Sequence, residues 1–177
     1  MLKGFTFLEL LITIFIISLT ALFAFPAWQQ TNTQMILAKE QHKLYVFLRQ
    51  IQARVENSSE IWLIMASKQS IPHYWCLTAQ PKTEMPCNCL TPHTCPKPAV
   101  AHFYQPYFPK QTDLIAKQYF PVEITRFSGI RNTSPSGCFL LQAGENRTLF
   151  SFSNLGTLRL KDYQSLSACR VEIGEND

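Results

Sequence analysis

Glycine is scarce in this chain and unevenly placed, for of the six in 177 residues only Gly4 comes before Gly129. There is no glycine-rich loop to cradle a phosphate, no Gly-x-Ser-x-Gly nucleophile elbow and no His-Glu-x-x-His zinc helix. An enzyme is therefore not expected, and with it no catalytic residue, cofactor or metal. His42, His73, His93 and His102 are scattered, and pairing His102 with Cys95 or His73 with Cys76 as a nucleophile requires a reduced thiol. Charge is missing too: from Phe5 to Phe25 Glu9 is the single charged residue. Across the whole chain, 16 Lys and Arg against 12 Asp and Glu give a net charge of +4, which favours no particular partner. Also lacking is the small-residue cleavage site that follows the apolar region of an ordinary secretory signal.

What is present at the start is an apolar run of about 21 residues, or roughly 30 Å of helix, enough on the sequence alone to cross a bilayer. Lys3 and Gly4 lie before it. A carboxylate inside such a helix is costly, so Glu9 needs a partner. If Phe5 becomes an amino terminus, its ammonium group can meet the Glu9 of a neighbouring subunit. The plainer alternative places Glu9 at headgroup level in an uncleaved signal anchor, which also accounts for Lys3.

Pro26 removes a backbone donor and is expected to kink the helix without ending it. Beyond it Leu37, Leu44, Phe47, Leu48, Ile51 and Val55 recur at helical spacing, while Lys39, Lys43, Arg49 and Arg54 take other faces. Strands are expected at Glu60 to Ala66 and His73 to Thr78, joined as a hairpin, and again at Val122 to Phe127, Cys138 to Leu141, Thr148 to Phe152 and Thr157 to Leu160. Cys169 to Ile173 reads as a short closing strand. Between Pro72 and Pro109 stand eight of the eleven prolines and four of the six cysteines, so regular structure should be scarce there. Cys87, Cys89, Cys95 and His93 invite a zinc reading, but the Cys-x-Cys spacing is not that of a structural zinc site, and disulfides are favoured. Six cysteines allow fifteen pairings. Proximity alone suggests two bridges among Cys76, Cys87, Cys89 and Cys95, and a third joining Cys138 to Cys169.

The opening Lys3-Gly4-Phe5-Thr6-Phe7-Leu8-Glu9 resembles the type IV prepilin leader: a short basic peptide ending in glycine, an aromatic mature start and a glutamate at the fifth mature position. Phe127-Ser128-Gly129-Ile130-Arg131-Asn132-Thr133, Phe152 to Leu160 and Trp75-Cys76-Leu77 are similar to the FimT and GspH type of minor pilins and pseudopilins, nearest the prepilin-peptidase-dependent protein A branch. The resemblance implies an α+β, type IV pilin-like fold, with a long helix, transmembrane in one half and amphipathic in the other, packed on an antiparallel sheet. The implied organisation is a leader at 1–4, a transmembrane helix at 5–25, an amphipathic continuation at 26–57 and a β-rich head at 58–177 with an irregular segment at 72–109. Gly4 and Phe5 would serve processing, and Glu9 and Pro26 assembly. The implied partners are other major and minor pilins, a prepilin peptidase and the inner membrane, with single-pass localisation there, a periplasmic head and later residence in a pilus or pseudopilus. The implied role is a minor pilin that starts or tips a pilus or competence pseudopilus. One alternative is a type II secretion pseudopilin of the H type. Another is a receptor for double-stranded DNA, using Arg126, Arg131, Arg147, Arg159 and Lys161 interleaved with phenylalanines. Against the receptor, those phenylalanines fit core positions of strands and the arginines a solvated face.

Overall fold

The computed structural model describes the backbone of residues 6–82, 85–95, 100–130, 133–154 and 156–162, with side chains throughout these ranges except at 22–30 and 162. The chain opens with helix α1, Phe7–Glu56, and continues through eight strands: β1 (Ile61–Gln69), β2 (Tyr74–Pro81), β3 (His102–Tyr104), β4 (Asp113–Ala116), β5 (Thr125–Ser128), β6 (Gly137–Ala143), β7 (Asn146–Phe152) and β8 (Leu158–Asp162). A 3-10 turn, Pro92–Thr94, is the only regular piece described between β2 and β3.

Two antiparallel four-stranded sheets result, ordered β3-β2-β1-β5 and β4-β6-β7-β8. The alternating pattern of β6, β7 and β8 sets their register, Phe139 opposite Phe150 and Phe150 opposite Leu160. Gly144, at φ 57°, supplies the left-handed residue that the β6–β7 turn requires. Strand β5 follows the first hairpin by more than 40 residues, yet pairs with β1, Trp62 opposite Phe127.

One core joins the helix to both sheets. Leu44, Leu48, Ile51 and Val55 of α1 are buried among Trp62, Ile64, Trp75 and Leu77 of the first sheet and Phe139, Leu141, Phe150 and Phe152 of the second. Phe139 stacks on Phe150 at 4.9 Å, and Phe127 meets Phe152 edge-on at 5.8 Å, which couples the sheets through their aromatic rings. Each fully buried leucine here is worth about 1.5–3 kcal/mol of transfer energy. The expected amphipathic stripe is thus the buried face of the helix.

The pilin-like fold is overturned. Among the described residues no helix is long and apolar enough to cross a membrane, so neither the transmembrane half at 5–25 nor a single-pass inner-membrane localisation stands. The strands also divide between two sheets instead of forming the one expected under the helix. The strand expected from Val122 begins only at Thr125, because the chain turns at Tyr119 to Val122 and reaches β1 through two isolated bonds, Phe120 N–H to Ala66 O (2.7 Å) and Ile124 N–H to Ile64 O (2.8 Å). Strands β3 and β4 were not anticipated, and the closing strand expected at Cys169 to Ile173 lies outside the described residues.

Gly129 ends β5 against the carboxy terminus of α1. A Cβ there would stand 2.0 Å from the Ser58 carbonyl oxygen and 2.3 Å from that of Val55, both backbone atoms that cannot yield cheaply. Gly129→Ala is expected to destabilise the fold by more than about 2 kcal/mol in urea denaturation, where an ordinary surface substitution moves it by about 0.5 kcal/mol or less. A change that small would mean that the helix end is free to shift.

Candidate functional site

Thr6 caps α1, and Thr6-Phe7-Leu8-Glu9 forms a capping box: the Glu9 N–H donates to Thr6 Oγ1 at 3.3 Å, and the Thr6 N–H donates to Glu9 Oε2 at 3.0 Å. The Thr-x-x-Glu spacing is itself the sequence signature of such a box. Glu9 also sits in the first turn, where the helix dipole favours a negative charge. After this cap comes a stretch in which Phe7, Leu8, Leu11, Ile14, Phe15 and Ile17, among others, are all exposed, Phe7 at 78% and Ile17 at 64%. They spread over most of the helix circumference, leaving one strip to Glu9, Thr13 and Thr20, so no single narrow face accounts for them. Gly4 and Phe5 lie outside the described residues; Pro26 is within α1, its side chain outside them.

Further along the helix, Glu40 is fully buried. Its carboxylate accepts the Tyr104 hydroxyl of β3, the Tyr107 N–H at 2.9 Å and the Phe108 N–H at 3.2 Å. Burial first, and then the bond to Glu40, hold the Tyr104 hydroxyl well above the ordinary tyrosine range, so it stays a donor. Lys43, one turn on, lies over the Tyr107 ring at 3.5 Å from its centroid and donates to the Gln105 carbonyl. Ala38, Lys39, His42, Val46, Tyr107 and Phe108 border a shallow depression of about 670 Å³ beside it. Sequence reasoning missed Glu40, although its position three after Leu37 and four before Leu44 puts it on the apolar stripe.

Of the cysteines, Cys76 on β2 is bonded to Cys89, with Cα atoms 6.1 Å apart. Cys87 and Cys95 are free thiols, near enough to each other to interact. The local cluster therefore holds one bridge where two were expected, and with Cys89 spent in a disulfide the three-thiol zinc set is not assembled. Among the described residues no His, Cys, Asp and Glu cluster is arranged to hold a metal. Cys138 is disulfide-bonded, while Cys169 lies outside the described residues.

The five basic residues are divided. Arg147, Arg159 and Lys161 share the face of the second sheet opposite Phe150 and Phe152, since Ser151 faces Arg159 and Leu149 faces Lys161 in register. Arg126 stands on the other sheet, with its Nε 3.2 Å from the Glu123 carboxylate, and Arg131 lies outside the described residues. Arg147 donates to Gln142 at 2.9 Å. Phe127, Phe139, Phe150 and Phe152 are buried, so none of them interleaves with the cations at a surface.

Glu40→Ala is expected to orphan three donors and to lower stability by about 3 kcal/mol, against about 1–2 kcal/mol for Tyr104→Phe, which removes one hydroxyl from the same carboxylate. Urea midpoints of the two variants check the order. Equal midpoints would remove Glu40 from its place at the centre of this region.

No family model matches the chain, and no solved structure matches it. A protein of Haemophilus influenzae described as uncharacterized is 53% identical over 167 residues, covering 94% of this chain and 98% of that protein. At that identity and coverage, the chain belongs to the same family as the Haemophilus protein.

Proposed function

We propose that this protein is a minor subunit of a pilus-type or pseudopilus-type filament, processed between Gly4 and Phe5 and held among its neighbours by the amino-terminal part of α1. The observation that carries this reading is the bare apolar stretch after Glu9. A helix that is apolar over most of its circumference and packs on nothing among the described residues of its own chain needs an apolar surround, and exposed apolar patches mark interaction sites. Helices of the same character from neighbouring subunits supply such a surround on all sides at once.

Glu9 sets the register of that packing. In the single chain its carboxylate is satisfied by Thr6. As helices bundle and water leaves, the carboxylate needs a cation as well, since a buried charge without one costs several kcal/mol. A new amino terminus at Phe5 on the adjoining subunit is that cation, and the pairing rewards one axial offset between helices over all others. The leader motif and the exposed helix support the same reading from independent residues.

The full chain, produced together with a complete set of pilins, is expected to begin at Phe5 by amino-terminal sequencing and to be found in sheared filaments. Glu9→Ala should accumulate to normal levels and yet drop out of those filaments. Incorporation of a stable Glu9→Ala protein at the level of the unaltered chain would contradict the registry role, and a chain that still begins at Met1 in the filament would contradict the processing.

A further inference from the structure

The loop after β2 folds back on itself through consecutive short turns. The Leu90 N–H donates to Asn88 Oδ1 at 3.0 Å and the Thr91 N–H to the Asn88 carbonyl at 3.1 Å. The Thr94 N–H then reaches the Thr91 carbonyl at 3.1 Å, and the Cys95 N–H reaches that of Pro92 at 3.3 Å. The near end of the loop is anchored to β2. The Cys87 N–H donates to Oε1 of the buried Gln80 at 2.6 Å, and Cys89 is bonded to Cys76. The result is to bring Cys95 back near Cys87, with the two free thiols close enough to interact. Nothing in the filament reading uses this pair.

We propose that Cys87 and Cys95 are a dithiol site, closed into a second cross-link by a small disulfide oxidant of the glutathione class. The two thiols have unequal tasks. Cys95 is partly exposed and Cys87 is buried, so the oxidant meets Cys95 first. The Cys95 thiolate, its proton lost to water, attacks one sulfur of the oxidant's disulfide, and the expelled thiolate takes up a proton. The Cys87 thiolate then attacks Cys95 Sγ, the mixed disulfide breaks, and the second oxidant thiolate leaves and is protonated. Two protein thiols lose two electrons and two protons in all, and one oxidant disulfide becomes two thiols. Burial, reinforced by the neighbouring Cys95 thiol, pushes the Cys87 thiol up to about 12, so it is a poor first attacker and reacts once the mixed disulfide stands next to it. The closed site would tie the far end of the loop to the strand that already holds its near end, leaving the Cys76–Cys89 bond untouched.

The test is a disulfide map of the full chain, made by alkylating under denaturing conditions and then digesting without reduction, before and after incubation with oxidised glutathione. The expected result is a Cys87–Cys95 peptide, present as isolated or formed on incubation, with the Cys76–Cys89 peptide retained. Cys87→Ser should stop at a stable Cys95 mixed disulfide with glutathione, and Cys95→Ser should take up none at Cys87. Two thiols that remain alkylatable after incubation would overturn the proposal, as would Cys87 or Cys95 bonded to Cys76 or Cys89, or a Cys95→Ser protein that adds glutathione as fast as Cys87→Ser. If either variant loses the Cys76–Cys89 bond, the map of the unaltered chain decides alone.

Discussion

A buried carboxylate that must find donors constrains this fold more than any single apolar contact. Glu40 is fully enclosed, and its partners come from β3 and from the backbone of the loop that follows it. Leaving such a group unmatched costs several kcal/mol, so helix, edge strand and loop must be correctly placed at the same time. Lys43 closes the same region from above by covering Tyr107. The proline-rich stretch, unable to join a long ladder, is therefore fixed by convergent donors and by the Cys76–Cys89 bond. From Phe108 the chain passes to Thr112, whose carbonyl accepts the Trp75 Nε1–H at 3.1 Å, and into β4 of the second sheet.

Contact between the sheets is reinforced at strand ends. Lys68 of β1 meets Asp113 of β4 at 2.6 Å, and His73 approaches the other oxygen of that carboxylate at 3.8 Å. Half-exposed pairs of this sort add little energy, but they specify which strand lies beside which. Burial beside Trp62, together with the charge of Arg54, holds the His102 imidazole below its ordinary pKa, so the stacked ring stays neutral over more of the acidic range than a free histidine.

The parts of this structure legible in the sequence were those with local periodicity. The β1–β2 hairpin follows from two short buried runs and the turn between them, the β6–β7–β8 meander from alternation and turn residues, and the buried face of the helix from its three-and-four spacing. Membership of a sheet is a different kind of fact, because β5 precedes β6 directly in the chain and yet completes the other sheet beside β1. No periodicity within Thr125–Ser128 encodes that choice. Strand β3 is three residues long and lies among prolines, and β4 is only four, too short for alternation to stand out. Glu40 was hidden by its charge, which reads as solvated until three donors are seen to meet it. The basic residues showed the reverse failure: close in sequence, they look like one patch, and strand geometry sends Arg126 to one sheet and Arg159 to the other.

Helix α1 divides by what covers it. From Thr33 onward it is attached to the head, with Asn146 donating to Thr33 at 3.2 Å, Thr148 donating to Gln41 at 2.9 Å and the leucine stripe buried below. Before Ala21 its described side chains are exposed. One end belongs to the subunit and the other awaits a surround. The most direct measurement is photo-crosslinking from a reactive residue placed at Leu11, followed by identification of what is captured when the full chain is produced with its proposed pilin partners. Crosslinks to the amino-terminal helices of other subunits are expected. Capture of lipid alone, or of segments of the same chain alone, would contradict the filament reading.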